Sequence, residues 1–158
     1  MGNRGRLHDA ARRIVRRVVP SYRAWVTCWL EFRGRHRPVM APNRYTELFF
    51  LDEATAFAAG PRPCALSRRE DYNRFVDRWR ERYPDQAGAD AIDAQLHEER
   101  VDTPRRKRIH DTRIEGLPDG VFVLLEDEPW LVLGDELLRW TPAGYADRAR
   151  RPSVAQAV

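Results

Sequence analysis

The sequence has little lysine and no long apolar run. Lys107 is the only lysine among 28 basic residues, so 27 arginines carry nearly all of the positive charge. The longest unbroken apolar stretch, Val121 to Leu125, is far too short to cross a membrane. The N-terminal segment lacks the apolar core of a secretory signal, and Arg6 breaks the myristoylation pattern after Met-Gly. We therefore predict a cytoplasmic protein with no membrane partner.

Cysteine is also scarce, because only Cys28 and Cys64 are present. Two cysteines are too few for a disulfide scaffold, and a chain of 158 residues can bury a core without cross-links. The glycine-rich phosphate loop, the dinucleotide-binding fingerprint and the nucleophile elbow are missing from the sequence. Their absence leaves nucleotide hydrolysis, dinucleotide redox chemistry and serine hydrolysis without support.

The positive charge is concentrated near the N-terminus. Residues 1–37 contain 10 arginines against Asp9 and Glu31, a net charge of +8, whereas the whole chain carries +4. The remaining residues therefore sum to −4. A basic segment of this kind suits a polyanion, and we predict nucleic acid as the partner. Two alternatives remain open: a solvated basic face rich in arginine through codon bias, and contact with an acidic protein or a second copy.

Helical spacing of apolar residues recurs along the first two thirds of the chain. It predicts an N-terminal helix that carries arginines on its outer face and ends at Pro20. Asp52 is suited to cap a short helix over 53–59, which Gly60 would end. A longer helix is predicted from Arg68, and another over 89–100. The apolar stripe of the helix from Arg68 consists of Tyr72, Phe75, Val76, Trp79 and Tyr83.

Strand patterns occur on both sides of these helices. Residues 24–32 alternate between apolar and mixed positions, a second short strand is expected within 38–51, and three short apolar runs predict an antiparallel meander over 120–140. The fold class is therefore predicted to be α+β. The predicted organisation is a basic helix over 1–20, a strand-and-helix module over 21–100, a basic loop over 101–113, an antiparallel β subdomain over 114–147 and a frayed tail over 148–158.

The run FFLDEATAFAAGPRPC resembles the zinc-binding region of Ada-type DNA-repair proteins. The matching positions are Phe50, Glu53, Ala54, Ala59, Gly60, Arg62, Pro63 and Cys64, with Arg68 after them. The family's site has four cysteines, in an upstream C-x-x-x-C pair and a downstream C-x-x-C pair. Here Cys28 is the upstream cysteine, Phe32 stands where its partner would be, and Ser67 replaces the last ligand. The resemblance implies a DNA-repair type of fold element with a degenerate zinc site.

The sequence gives Ser67 and the cysteines alternative interpretations. Ser67 with Glu70 forms a capping-box pattern before the long helix, and Cys28 fits a strand as a small buried residue. Zinc needs four ligands in a tetrahedron, so a site built on Cys28 and Cys64 would require further ligands. The candidates for those ligands are His36, His97 and His110.

A second group of polar residues supports an enzymatic alternative. His97, Glu99 and His110 flank a basic loop, a combination that can hold a cation beside phosphate in a metal-dependent nuclease. The Ada resemblance also implies a repair-type transferase in which Cys28 accepts a methyl group. The preferred interpretation is a DNA-binding protein, not an efficient enzyme, that contacts phosphates through arginine-rich surfaces. Its predicted contact residues are Arg12, Arg13, Arg16, Arg17, Arg62, Arg68, Arg105, Arg106 and Lys107.

Overall fold

A computed structural model describes residues 1–16, 22–34, 38–86, 88–102 and 106–152. The described residues form an α+β fold, as predicted. They divide into two compact units, of which the first comprises residues 1–50 and 59–108 and the second residues 51–58 and 109–158. The helices are α1 Glu53–Ala59, α2 Arg69–Arg82 and α3 Ala89–Arg100. The strands are β1 Gly2–Asn3, β2 Val26–Thr27, β3 Glu47–Leu48, β4 Arg62–Pro63, β5 Val101–Asp102, β6 Arg106–Lys107, β7 Phe122–Leu125, β8 Glu128–Leu133, β9 Glu136–Thr141 and β10 Gly144–Arg150.

The first unit contains a sheet of four very short strands in the order β3-β1-β2-β4. β1 pairs antiparallel with β2 and β3, whereas β2 and β4 run parallel. Beside this sheet, Trp79 of α2 and Ile92 and Leu96 of α3 form the buried core. Phe75, Val76 and Tyr83 pack against that core, which confirms most of the predicted apolar stripe of α2.

The predicted N-terminal helix is wrong for the described residues. Residues 8 and 14 instead form an antiparallel bridge around a turn, in which the Asp9 carboxylate accepts a hydrogen bond from the Arg13 N–H at 2.9 Å. Leu7 is buried, but Ile14 and Val15 are more than half exposed, although a helix would have placed all three on one face. The turn prevails because the side chain of Asp9 satisfies the backbone that a helix would otherwise use.

The second unit is a regular antiparallel meander in the order β10-β9-β8-β7. It buries two adjacent residues in each central strand, Leu131 and Val132 in β8 and Leu137 and Leu138 in β9. The sequence predicted three strands for this meander, whereas the structure has four. The expected frayed tail is wrong at its start, because Arg148 to Arg150 pair with β9. Residues 153–158 lie outside the described residues.

Two further predictions concern helix starts and the basic loop. α1 begins as predicted, because Asp52 accepts a hydrogen bond from the Thr55 N–H at 2.7 Å. The Ser67 capping box is wrong: α2 has Arg68 at its N-cap position with no side-chain cap. The segment 101–113 is not a loop throughout, since β5 and β6 pair antiparallel within it.

Candidate functional site: a two-thiol cleft

The two cysteines are brought together by the parallel pair β2 and β4. Val26 stands opposite Arg62 and Thr27 opposite Pro63, so Cys28 and Cys64 follow as neighbours at the ends of the two strands. The Cys64 N–H donates to the Thr27 carbonyl at 2.9 Å and extends this pairing by one step. Cys28 is held in turn by Met1, whose carbonyl accepts from the Cys28 N–H at 2.7 Å. Both thiols are free and partly exposed.

A tight turn after Cys64 directs hydrogen-bond donors at its sulfur. The backbone N–H groups of Leu66 and Ser67 and the hydroxyl of Ser67 all bond to the Cys64 thiol group. The Arg68 N–H closes the turn on the Cys64 carbonyl at 2.9 Å. The Ser67 hydroxyl also accepts from the Trp29 N–H at 3.3 Å, across to the segment that carries Cys28. Ser67 therefore joins the two cysteine-bearing segments instead of capping α2.

The two thiols hydrogen-bond to each other, and this affects their titration in opposite directions. The bond from Cys28 lowers the pKa of Cys64, the N–H donors of Ser67 and Leu66 lower it further, and together they outweigh burial, which raises it. The same bond, together with burial, raises the pKa of Cys28. The pKa of Cys64 is lowered and that of Cys28 is raised, because a hydrogen bond to the charged form of a thiol favours that form.

The thiols line a cleft of about 450 Å³ in the first unit. Met1, Asn3, Glu47 and Ser67 contribute polar groups, and the remaining lining residues are mainly apolar. The Glu47 carboxylate is buried and accepts a hydrogen bond from the Met40 N–H at 2.8 Å. The apolar side chains around the thiols include Trp29, Leu30, Phe32, Tyr45, Phe49 and Leu66.

Among the described residues of the cleft, few side chains are suited to bind zinc. Cys28, Phe32, Cys64 and Ser67 line the same cleft, but only the two cysteines are good zinc ligands. His97 is not among the lining residues, His110 is exposed within the second unit, and His36 lies outside the described residues. Within the described residues there is no group of three or more His, Cys, Asp or Glu side chains suited to a metal.

Two predicted phosphate contacts are buried in ion pairs. Arg62 of β4 forms a bidentate salt bridge with Asp93 of α3, in which two guanidinium nitrogens lie 2.7 and 2.8 Å from the two carboxylate oxygens. Both side chains are about 5% exposed. Arg68 pairs with Asp71 at 2.7 Å and lies over the ring of Trp29. These guanidinium groups hold the first unit together, and burial withholds them from a phosphate. Sequence spacing alone does not reveal such a pair, because 31 residues separate Arg62 from Asp93.

The other predicted contacts have different surroundings. Arg12, Arg13 and Arg16 are exposed on the N-terminal turn, and Arg13 pairs with Asp9 at 2.9 Å. Lys107 is exposed in β6. Arg17 and Arg105 lie outside the described residues, and Arg106 is described only as part of the backbone of β6.

Of the residues of the enzymatic alternative, Glu99 is engaged in hydrogen bonds within the first unit. Glu99 accepts hydrogen bonds from the Tyr83 hydroxyl at 2.5 Å and from the Gln95 amide at 3.0 Å, which connects α3 to the end of α2. His97 and Glu99 belong to the first unit and His110 to the second.

His8 is a buried polar residue that the sequence interpretation missed. Its Nδ1 lies 2.7 Å from the Thr46 hydroxyl oxygen, which also accepts from the Leu7 N–H at 2.8 Å. This network holds the N-terminal turn against the β3 segment. The polar signal was present in the sequence, but His8 and Thr46 are 38 residues apart.

Comparisons with protein-family models, with curated proteins and with solved structures returned no significant match. None of the helices in the described part of the chain is both long and apolar enough to cross a membrane.

Proposed function

We propose that this chain is a nucleic-acid-associated protein that binds phosphates through the exposed arginines of its first unit. The observation that carries the proposal is the segregation of charge between the units. The first unit contains 23 basic and 13 acidic residues, a net charge of +10, and the second contains 5 basic and 11 acidic residues, a net charge of −6. Arginine is suited to phosphate because its planar guanidinium group can donate two parallel hydrogen bonds.

The contact surface would include the N-terminal turn. Arg12 and Arg16 are exposed there, and Arg33 is exposed beside the ring of Phe32 at the cleft. Arg62 and Arg68 take no part, because their charges are already committed to Asp93 and Asp71. The proposed surface is therefore smaller than the arginine content of the chain implies.

Binding of fluorescent duplex DNA, measured by anisotropy as salt rises from about 50 to 200 mM, tests this proposal. The affinity of the wild type is expected to fall steeply with salt. Arg12→Ala and Arg16→Ala should each weaken binding and reduce the slope of log K against log salt by about 1. Arg148→Ala in the acidic unit is the matched control and should leave both quantities unchanged.

Absence of binding, or a response that does not change with salt, would contradict phosphate recognition and favour an acidic protein partner. Equal losses for Arg12→Ala and Arg148→Ala would contradict the assignment of binding to the first unit. The nuclease alternative has no comparable support, because Glu99 is engaged by Tyr83 and Gln95.

We also propose that the thiol turn is a degenerate zinc-binding scaffold that keeps its shape by hydrogen bonding. The supporting observation is that Cys28, Phe32, Cys64 and Ser67, the four positions the Ada resemblance singles out, line one cleft. Wild-type protein purified without chelator should contain less than about 0.2 equivalents of zinc, because two thiolates do not complete a tetrahedral site.

Ser67→Cys restores a third thiol, and zinc content measured by atomic emission should rise well above that of the wild type. Ser67→Ala is the matched control, because it removes the hydroxyl without supplying a ligand. Failure of Ser67→Cys to gain zinc would mean that the turn is not a former metal site.

A further inference from the structure

The geometry of the cleft points to a second activity: we propose that Cys64 and Cys28 form a redox pair that reduces hydroperoxides and closes to an intramolecular disulfide. This activity does not depend on nucleic-acid binding. It rests on three observations, namely the register of the strands, the donors directed at Cys64 and the apolar cleft beside both sulfurs.

The register of the strands is compatible with a disulfide. β2 and β4 are neighbouring parallel strands, and Cys28 and Cys64 continue their pairing beyond Thr27 and Pro63. Neighbouring strands lie about 4.8 Å apart, within the range of about 4.4–6.8 Å between the Cα atoms of disulfide-bonded cysteines. Both cysteines line one cleft, as expected of in-register neighbours whose side chains share one face of a sheet.

The donors around Cys64 assign different roles to the two cysteines. The N–H groups of Leu66 and Ser67 and the Ser67 hydroxyl surround the Cys64 sulfur, where they stabilise developing negative charge. Cys64 is therefore the attacking sulfur, and Cys28 is the resolving sulfur that closes the disulfide.

The cleft suits an oxidant with an apolar substituent. Its volume of about 450 Å³ accommodates a small organic molecule, and Trp29, Phe32 and Phe49 supply aromatic surface near the thiols. Both cysteines are partly exposed, so an oxidant can reach them. An alkyl or aryl hydroperoxide matches these features, because its apolar substituent can pack against the aromatic side chains.

The chemistry balances with the hydroperoxide as the only co-reactant. The Cys64 sulfur attacks the terminal oxygen of the hydroperoxide, so that an S–O bond forms and the O–O bond breaks. The proton of the Cys64 thiol ends on the alkoxide, which leaves as an alcohol. The Cys28 sulfur then attacks the Cys64 sulfenic acid, and an S–S bond forms while water leaves with the Cys28 proton. The pair loses two electrons and the hydroperoxide gains them.

The test treats the full-length reduced protein with one equivalent of cumene hydroperoxide. We expect both thiols to become unreactive toward a thiol reagent, the chain to remain monomeric on a non-reducing gel, and a Cys28–Cys64 cross-linked peptide to appear in the mass spectrum. Dithiothreitol should restore both thiols. The folded protein should react faster than the same protein in urea, because folding holds the sulfurs together. Hydrogen peroxide should react more slowly than cumene hydroperoxide.

Two variants separate the roles. Cys28→Ser should stop at a sulfenic acid on Cys64 that dimedone traps, and Cys64→Ser should consume hydroperoxide at least about tenfold more slowly than the wild type. Retention of both thiols by the folded wild type, faster oxidation in urea, or disulfides that link two chains would each overturn the proposal. The comparison of folded with unfolded wild type needs no variant, so it decides the matter even if a substitution impairs folding.

Discussion

Different interactions stabilise the interior of each of the two units. The second unit is a meander of four strands with continuous backbone pairing from β7 to β10 and a row of buried aliphatic side chains. In the first unit the strands have only two residues each. Side-chain hydrogen bonds connect segments that are distant in sequence, among them Arg62–Asp93 and His8–Thr46. A regular strand ladder produces a periodic pattern of apolar residues in the sequence. A single hydrogen bond between distant side chains produces no such pattern.

The largest expected effect is a loss of stability in the first unit when its buried ion pair is removed. Arg62→Met leaves the Asp93 carboxylate, about 5% exposed, without its partner, and we expect a loss of about 3–5 kcal/mol in the free energy of unfolding. Denaturant unfolding followed by tryptophan fluorescence measures it. Arg78→Met, which removes an exposed pair with Glu81, should cost at most about 1 kcal/mol. Equal costs for the two variants would show that burial does not distinguish these ion pairs.

A smaller effect is expected within the second unit. The Tyr145 hydroxyl donates to the Asp52 carboxylate at 2.6 Å, and Tyr145→Phe should cost about 1 kcal/mol. Burial and this hydrogen bond raise the pKa of Tyr145 to about 12, from an ordinary value of 10.0. Burial raises the pKa of Asp52, but hydrogen bonds from Tyr145 and Thr55 outweigh it and leave that pKa below 3.8.

The signs of these shifts define a window of pH. Tyr145 has a raised pKa, so its contribution is complete below pH 10 and is lost as the pH rises toward 12. Asp52 has a lowered pKa, so its contribution is complete above pH 3.8 and is lost at more acidic pH. The stability gap between wild type and Tyr145→Phe should therefore be widest between these limits. A gap that is constant up to pH 12 would argue against the hydrogen bond.

The smallest expected effect stabilises the second unit. Glu126 and Asp127, which join β7 to β8, both have positive φ angles, of 51° and 63°. Glycine adopts this conformation without steric cost, so Asp127→Gly should raise the free energy of unfolding by about 0.5–1 kcal/mol. Asp135→Gly in the neighbouring turn is the control, because Gly134 already supplies the positive φ there. Stabilisation by Asp135→Gly alone would contradict this explanation.

The fold was predictable where local signals agreed. The bounds of α1 and α3 match the prediction, because capping at Asp52, the stop at Gly60 and the burial of Ile92 and Leu96 all depend on residues a few positions apart. The meander was predicted without its last strand, β10. The arginines and small residues of β10 lack apolar alternation and are largely exposed. The N-terminal helix failed because Asp9, Thr46 and the pairing of β1 favour a turn instead.

The candidate site was predictable only in part. The resemblance to the Ada zinc-binding region singled out Cys28, Phe32 and Ser67 together with Cys64, and all four positions line one cleft. The phosphate-contact set was too large, because no local pattern indicates that Arg62 is neutralised by Asp93. The resemblance to Ada-type proteins remains a proposal, which the zinc content of Ser67→Cys tests.

The sequence by itself determined the local structure of the helices, the class of the fold and the identity of the residues around Cys64. These depend on periodicity and on short-range hydrogen bonding, which neighbouring residues specify. Only the tertiary structure decided that Ser67 joins the segment of Cys28 instead of capping α2, and that the two thiols share a hydrogen bond. The reason is physical: a parallel strand pair brings together residues 36 positions apart, and no local pattern encodes that register.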